Sequence, residues 1–597
     1  MKVTHKLTNP AITKQIDVPQ AFLLGNDRQD FVNFYGETCS RYEGWFVKHK
    51  DDHLKVLANI EVSGETPTEI ILEPLFSLVG RKYKDFKESY FLLKDEPVLI
   101  YELSQTKNFT VRLDIRHIFD EPQWGRNYST WRIENGIMVG YLDEGKNEQY
   151  FVALLTDGPI NETKSWQETR YSRDEKRHSA PVSLYEFEVG SFESSKLVMA
   201  FGATEKEANK RAQNSFDEKK ISLLKEGKNV SVKPAHKNAV KAATFYSHKA
   251  LEDLFIGNGL MAGLPWFNKT WSRDELLSIP ALEPKKAKAI IKKYLKAAWP
   301  SGKIPVILGG SALSSDALGT LCWAILNTGI KLSIDEKITL ADKLIKAVGL
   351  LEENDYLGFV YSDTNESWMD SIDREGYLIE IQALYAKILE LTYALTGDIR
   401  YDEKRAKVLK NIRMYYLYSK HCSADRLEDP AIRPNVFLAA FFAPEILTKK
   451  EWEKVFDRIL PHIWLNWGGL SSIDKKCLEY SEVSTGEDNM SYHNGDSWFF
   501  VNNIAALVLY NTNKLKYHKV IKKILEASTD EILWHNFVGR PGEISSAKSL
   551  DSWGCGTQAF SASTYIYLVW NMDIRKQGFK REQVKSSAGK RYVFSNL

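Results

Sequence analysis

One stretch combines the residue types that could hold a sugar: Ala262-Gly263-Leu264-Pro265-Trp266-Phe267-Asn268-Lys269-Thr270-Trp271-Ser272-Arg273-Asp274. Aromatic faces pack against the C–H face of a pyranose ring, and its hydroxyls need charged or amide partners. Trp266 and Trp271 could supply the faces, and Arg273 and Asp274 the polar partners. The same Arg-Asp pair would also suit the first turn of a helix, where a carboxylate is favoured.

Two further stretches offer acids. Glu366-Ser367-Trp368-Met369-Asp370-Ser371 follows the loop residues Tyr361-Ser362-Asp363-Thr364-Asn365. An aromatic beside a carboxyl desolvates it and raises its pKa, which keeps a general acid protonated near neutral pH. A helix N-cap would ask for the same Asp370, because an apolar run begins at 377, and Arg374 and Glu380 could form a polar support around it. Nearer the C-terminus, the turn Gly539-Arg540-Pro541-Gly542 presents Glu543, as a base or as a solvated turn glutamate. The loops Tyr492-His493-Asn494-Gly495-Asp496-Ser497-Trp498 and Trp553-Gly554-Cys555-Gly556-Thr557-Gln558-Ala559-Phe560-Ser561 each precede a helical pattern. His493 has no second histidine nearby, so a hydrogen-bonding or core role fits it better than metal ligation, and no metal site is expected.

The elements that must position these loops fall into two parts. Residues 1 to about 200 alternate apolar and polar positions in short runs, such as Leu54-Lys55-Val56-Leu57-Ala58 and Phe109-Thr110-Val111-Arg112-Leu113. Turn residues separate the runs, which predicts an antiparallel β-sandwich over 1–203. Residues 204–235 are rich in Lys, Glu and Ala before Gly227, Asn229 and Pro234, which reads as a helical linker and loop. From 236 to 597 apolar residues recur with helical spacing in about a dozen segments, including 287–298, 317–328, 333–351, 377–395, 403–418, 452–463, 496–510, 517–533 and 559–570. Gly- and aromatic-rich loops between alternate helices suggest a ring of inner and outer helices with a cleft at one end.

Composition narrows the class. The 597 residues exceed one ordinary core, so two or three domains are expected. With 80 basic and 78 acidic residues the formal net charge is +2, which supplies no field for nucleic acid or an anionic membrane and suits a neutral substrate. The five cysteines, Cys39, Cys322, Cys422, Cys477 and Cys555, show no metal-ligand spacing and predict reduced thiols. The chain starts Met1-Lys2-Val3-Thr4-His5-Lys6 without an apolar leader and holds no membrane-length apolar run, so a cytoplasmic protein is expected.

Taken in order, these stretches resemble the glucosidase part of glycogen debranching enzymes, the amylo-α-1,6-glucosidases. Pro265-Trp266-Phe267 and Trp271-x-Arg273-Asp274 match the first segment of the family pattern. Ser367-Trp368-Met369-Asp370 matches a Thr-Trp-Met-Asp segment with Ser for Thr, and Arg433-Pro434-Asn435 an Arg-Pro-Asn segment. Gly469-Leu470-Ser471-Ser472 is a weak match to Gly-Leu-Arg-Ser, and Tyr492-His493-Asn494-Gly495 has Asn where the family has Gln. Glu543 and the run 554–561 match a Glu before Gly-Cys-x-x-Gln-Ala-Trp-Ser, with Phe560 for Trp. Arg41-Tyr42-x-Gly44-x-x-Val47 is similar to the β domain of prokaryotic single-glucosidase members.

The resemblance implies a mainly α protein: an (α/α)6 barrel preceded by a β-sandwich. It implies Asp370 as general acid and Glu543 as general base of an inverting hydrolase. Arg273 and Asp274 would bind the terminal glucosyl hydroxyls. Trp266, Trp271, Trp368, Trp498 and His493 would complete the substrate site, without metal or organic cofactor. The partner implied is a branched α-glucan such as glycogen or a limit dextrin. The Trp-x-Arg-Asp segment is shared with glucoamylases, and Ser481-Glu482 is similar to their base region, so Glu482 is a rival base. Other readings are a glucoamylase-, glucodextranase- or trehalase-like glucosidase, an inverting phosphorylase, or a non-catalytic glycogen-binding protein. Nothing resembles the second, transferase barrel of the long eukaryotic enzymes.

Overall fold

A computed structural model of the chain describes residues 1–7, 11–17, 20–62, 64–73, 78–217, 238–417, 425–427, 429, 431–573, 581–586 and 589–594. The chain divides into two compact units. One comprises Met1–Tyr246 with Ile532–Arg540, the other Ser247–Glu531 with Pro541–Leu597.

The first unit is a sheet of fifteen strands. They are β1 (Lys2–His5), β2 (Ile12–Gln15), β3 (Phe22–Gly25), β4 (Phe31–Phe34), β5 (Gly44–His49), β6 (Asp52–Val62), β7 (Glu69–Glu73), β8 (Leu78–Lys82), β9 (Lys87–Leu92), β10 (Val98–His117), β11 (Tyr128–Ile133), β12 (Gly136–Asp143), β13 (Glu148–Thr156), β14 (Ile160–Arg170) and β15 (Ser183–Gly202). The two longest strands, β10 and β15, serve two layers. The start of β10 pairs with β9, and its later half pairs with β6 after a break in register with β15 between Glu102 and Lys107. The end of β15 pairs with β13 and its start with β14. The layers meet face to face: the rings of Phe22 and Phe34 lie 5.2 and 5.3 Å from Tyr90. The expected antiparallel sandwich needs one correction, because β1 runs parallel to β7.

After the helix α1 (Ser172–Lys176), α2 (Glu205–Phe216) starts at Thr204, whose side chain accepts from the Glu207 amide. Ala208 and Ala212 of α2 join Val98, Ile100, Met138 and Val198 in one buried cluster. The expected linker therefore begins as part of the β unit's core, and residues 218–235 lie outside the described residues.

The helical part contains α3 (Ala239–Leu254), α4 (Ser272–Ser278), α5 (Pro284–Lys296), α6 (Ala317–Thr328), α7 (Ile334–Leu351), α8 (Ile379–Thr396), α9 (Ile399–Ile412), α10 (Asn435–Phe442), α11 (Lys449–Ile463), α12 (Phe499–Asn513), α13 (His518–Trp534) and α14 (Ala559–Asp573). Six of them form a closed series: α4 touches α6, α6 touches α8, and so on through α10, α12 and α14, which touches α4 again. These inner helices are buried nearly all round, as α8 shows with every residue from Ile379 to Leu389 buried, Glu380, Gln382 and Lys387 included. Outer helices are amphipathic. α5 buries Ala287, Ile290, Ile291, Tyr294 and Leu295 and shows Lys285, Lys292 and Lys296 to solvent. Capping boxes at Ser333–Glu336 and Thr448–Glu451 start two of them.

Candidate active site

Every candidate residue lies at, or in the loop before, the N-terminus of an inner helix. Arg273 and Asp274 open α4, and Asp370 precedes α8. Arg433 and Pro434 precede α10, residues 491–498 precede α12, and Glu543 with 554–558 precedes α14. Two short bridges tie these loops: Gly263–Leu264 pairs with Thr557–Gln558, and Ser497–Trp498 with Ile544–Ser545.

The Asp370 side chain keeps 33% of its surface exposed and accepts from Arg273 Nη1 at 3.3 Å. Burial nonetheless pushes its pKa up against the pull of that guanidinium. Arg273 Nε donates to Asp316 at 2.7 Å, so the guanidinium bridges two acids. Its Nη2 is buried with no partner among the described residues, which leaves a donor for a ligand hydroxyl. The loop carrying Asp370 is braced from below. Arg374 donates to both oxygens of Glu380 at 2.6 and 2.9 Å, to Asp425 at 2.5 and 2.8 Å, and to Ser367 Oγ at 3.1 Å. Asn435 Nδ2 donates to Asp425 at 2.6 Å, and Trp368 Nε1 donates to Asn435 at 2.7 Å.

The second candidate carboxylate, Glu543, is buried. Its carboxylate accepts from the Tyr492 hydroxyl at 2.6 Å and from the Cys555 amide at 2.8 Å. Gly554 must be glycine here: a Cβ would stand 2.5 Å from Glu543 Oε2. Gly542 is confined likewise, since its Cβ would meet Glu531 Oε1 at 2.4 Å. The buried Glu531 accepts the Gly542 amide at 3.1 Å, and burial raises its pKa to about 8.

The two sides form one electrostatic cluster. Tyr492 stands in the field of both Glu543 and Asp370, and Asp274 in that of both Arg273 and Glu543. Burial first, then the nearby Glu543 against the pull of Arg273, raises the Asp274 pKa to about 7. Gln558 Nε2 donates to Asp274 at 3.0 Å.

The aromatic candidates divide. Trp266 and Trp271 are half-buried. Trp368 and Trp498 are buried, and Trp498 spends its indole N–H on the Tyr492 carbonyl at 2.8 Å. His493 is fully buried, stacked on Trp498 at 5.0 Å, with Nδ1 2.6 Å from the hydroxyl of Ser371, the residue after Asp370. Burial and the surrounding arginines keep it neutral. The rival Glu482 is exposed, and its backbone carbonyl accepts from the Lys548 amide at 2.8 Å. Sequence places Gln558 in a matched segment without a role and gives no sign of Asp316. Asp316 stands just before an apolar run and looks like a cap, which hides its second use. Among the described residues no group of three metal-capable side chains occurs, and no helix is long and apolar enough to cross a membrane. Cys39, Cys322, Cys477 and Cys555 are free thiols, and Cys422 lies outside the described residues.

Comparison with known proteins gives the geometry a context. The chain is similar to a bacterial glucoamylase complexed with acarbose, with a TM-score of 0.60 and 11% identity over 93% of this chain and 94% of that one. A GH63 mannosylglycerate hydrolase from Thermus thermophilus in complex with Tris has a TM-score of 0.43 and 12% identity, over 55% of this chain and 100% of that one. At 11% identity the likeness to the glucoamylase speaks for the fold alone. No curated protein matches the chain. Residues 344–567 match the family described as amylo-alpha-1,6-glucosidase, a span that includes both Asp370 and Glu543. Over residues 344–567, a little over a third of its length, the chain is thus similar to a glucosidase family, and this similarity supports a glycosidase.

Proposed function

We propose that the protein removes α-1,6-linked glucosyl residues from branched α-glucans, working from the chain end by inversion on an (α/α)6 barrel. The observation that carries this reading is the single cluster joining Arg273 and Asp274 to Asp370, Tyr492 and Glu543, the last three within the span that matches a glucosidase family. Asp370 protonates the glycosidic oxygen. Glu543 takes a proton from a water that attacks the anomeric carbon from the opposite face, so the released glucose is the β-anomer. Each bond to the Glu543 carboxylate aims a lone pair and leaves the acid–base pair different in environment, as the division of labour requires. Arg273 Nη2 and Asp274 hold hydroxyls of the terminal glucosyl unit. His493 supports the acid loop through Ser371. Free thiols accord with a cytoplasmic setting.

The second reading is a glucoamylase-like α-glucosidase, which the likeness to the bacterial glucoamylase fold keeps in view. Dextrins carrying a one-unit or a four-unit branch, beside maltose and trehalose, separate the two. The proposal expects fast glucose release from the one-unit branch and little from the rest. Maltotetraose from the long branch would mean an endo-acting cleft, and rapid cleavage of maltose would favour the second reading.

A further inference from the structure

The large apolar side chains that the β unit leaves exposed are, among its described residues, Phe119, Trp124 and Leu142, and they gather at one place. Trp124 is 75% exposed. Single exposed apolar residues are ordinary, whereas a cluster beside a concavity marks a binding surface. A groove of about 620 Å³ opens here, lined by Gly125, Asn127, Trp131, Tyr141, Glu144 and Gln149 among others. Leu142 lines it too, Trp124 adjoins Gly125, and an ion pair between Lys146 and Asp120 brings the segment with Phe119 against the β12–β13 turn.

The groove is built rather than incidental. Gly125 lies flat on the indole of Trp166, where a Cβ would stand 2.7 Å from the ring, so the loop is fixed with Trp124 turned outward. Arg126 anchors that loop by donating to Asp114 at 2.8 Å while its guanidinium covers Trp166 at 4.9 Å. The Trp124 ring runs nearly parallel to Tyr185, with centroids 6.4 Å apart. Gly140 forms part of the floor: a Cβ there would stand 3.1 Å from Trp131 and 3.3 Å from Phe151. Exposed amides of Asn127 and Gln149 and the carboxylate of exposed Glu144 supply hydrogen-bonding groups beside the rings.

We infer that this groove is a second carbohydrate site, which holds a neutral α-1,4-glucan chain by its ring faces and hydroxyls and serves to anchor the polymer. Rings next to amides and carboxylates match the two-faced character of a pyranose. The acidic rim of Asp143 and Glu144 disfavours an anionic polymer. The choice of glucan rests on the function proposed above.

The test is electrophoresis of the full chain in native gels containing glycogen, in an Asp370→Asn background that leaves the polymer intact. The protein is expected to be retarded. The double substitution Trp124→Ala with Asn127→Ala should raise its apparent dissociation constant by about tenfold, the worth of one good ring contact, with an unchanged near-UV circular dichroism spectrum. Equal retardation of both proteins, retardation of neither, or equal retardation by mannan would overturn the inference. So would a dimer that the double substitution breaks, since the patch would then be a contact between copies. Panose hydrolysis by the unsubstituted chain tests the glucosidase reading separately. A protein retarded through Trp124 that releases no glucose keeps this site and loses that reading, and the converse result does the reverse.

Discussion

Replacing Arg273 by Gln should move the alkaline limb of the pH–rate profile upward. On the proposed mechanism Asp370 must be protonated to act as the acid, so that limb of kcat/KM would report its titration in the free enzyme. The Arg273 guanidinium, 3.3 Å away, favours the ionised form, and burial opposes it. Two full charges at such a distance interact by about 5 kcal/mol at an effective dielectric of about 20. Asp370 is one-third exposed and shares the guanidinium with Asp316, so about 1.4–2.8 kcal/mol is the part lost on substitution. That is about one to two pH units. Losing the cation raises the carboxyl pKa, so the acid stays protonated to higher pH. The plateau of kcat/KM should fall by about 100-fold as hydroxyl positioning is lost. Arg273→Lys separates the two effects: the charge remains and the fork is lost, so the limb stays near the wild-type position while the plateau drops. The assay is glucose release from panose between pH 4 and 10. A limb that stays in place in Arg273→Gln would show that Asp370 is not the group titrating there.

Two further outcomes follow from the same geometry. Glu543→Gln should cut turnover by about 10²–10⁴-fold with little change in Tm, whereas the exposed Glu482→Gln should stay within a few-fold of wild type; the reverse ranking in a steady-state assay would exchange the two as base. Glu531 has its pKa raised by burial to about 8, so the folded protein binds a proton that the unfolded chain releases near its ordinary value of 4.5. Stability from this group is complete below about pH 4.5 and is lost as pH rises toward 8, and Glu531→Gln should remove that loss, which Tm measured from pH 5 to 8 would reveal as a growing advantage of the variant.

The motif loops were legible in sequence because each packs unusual residue types into a few positions. Trp266 to Asp274, Ser367 to Asp370 and Glu543 with Gly554 all stand out, and the structure gathers Arg273, Asp274, Asp370 and Glu543 into one cluster. The outer helices were legible through their period, as α5 and α7 show. The short inner helices α4 and α10 carry no such signal, because a helix buried on every side has no polar face to mark its turns. Long-range partners were hidden for a different reason. Asp316 and Asp425 locally resemble a cap or an ordinary polar position, and Gln558, though inside a matched segment, acquires its partner Asp274 from hundreds of positions away. The doubling of β10 and β15 across two layers was also invisible, since alternation tells which face is buried and not which neighbour covers it.

The order of the inner helices has a mechanical side. In the series α4, α6, α8, α10, α12 and α14, the helices that follow Asp370 and Glu543 stand three places apart, diametrically across a closed hoop. The gap between the two carboxyls is then a span, fixed by the circumference of the hoop more than by either loop. Gly319 sets part of that circumference: on α6, its Cβ would stand 2.4 Å from that of Leu384 on α8. Widening this joint by one methyl group would pry the hoop open and change the room left for a water between acid and base. On the proposed mechanism the reaction's stereochemistry would then be held by joinery remote from the reacting atoms, and the staves could be tuned without touching either carboxylate.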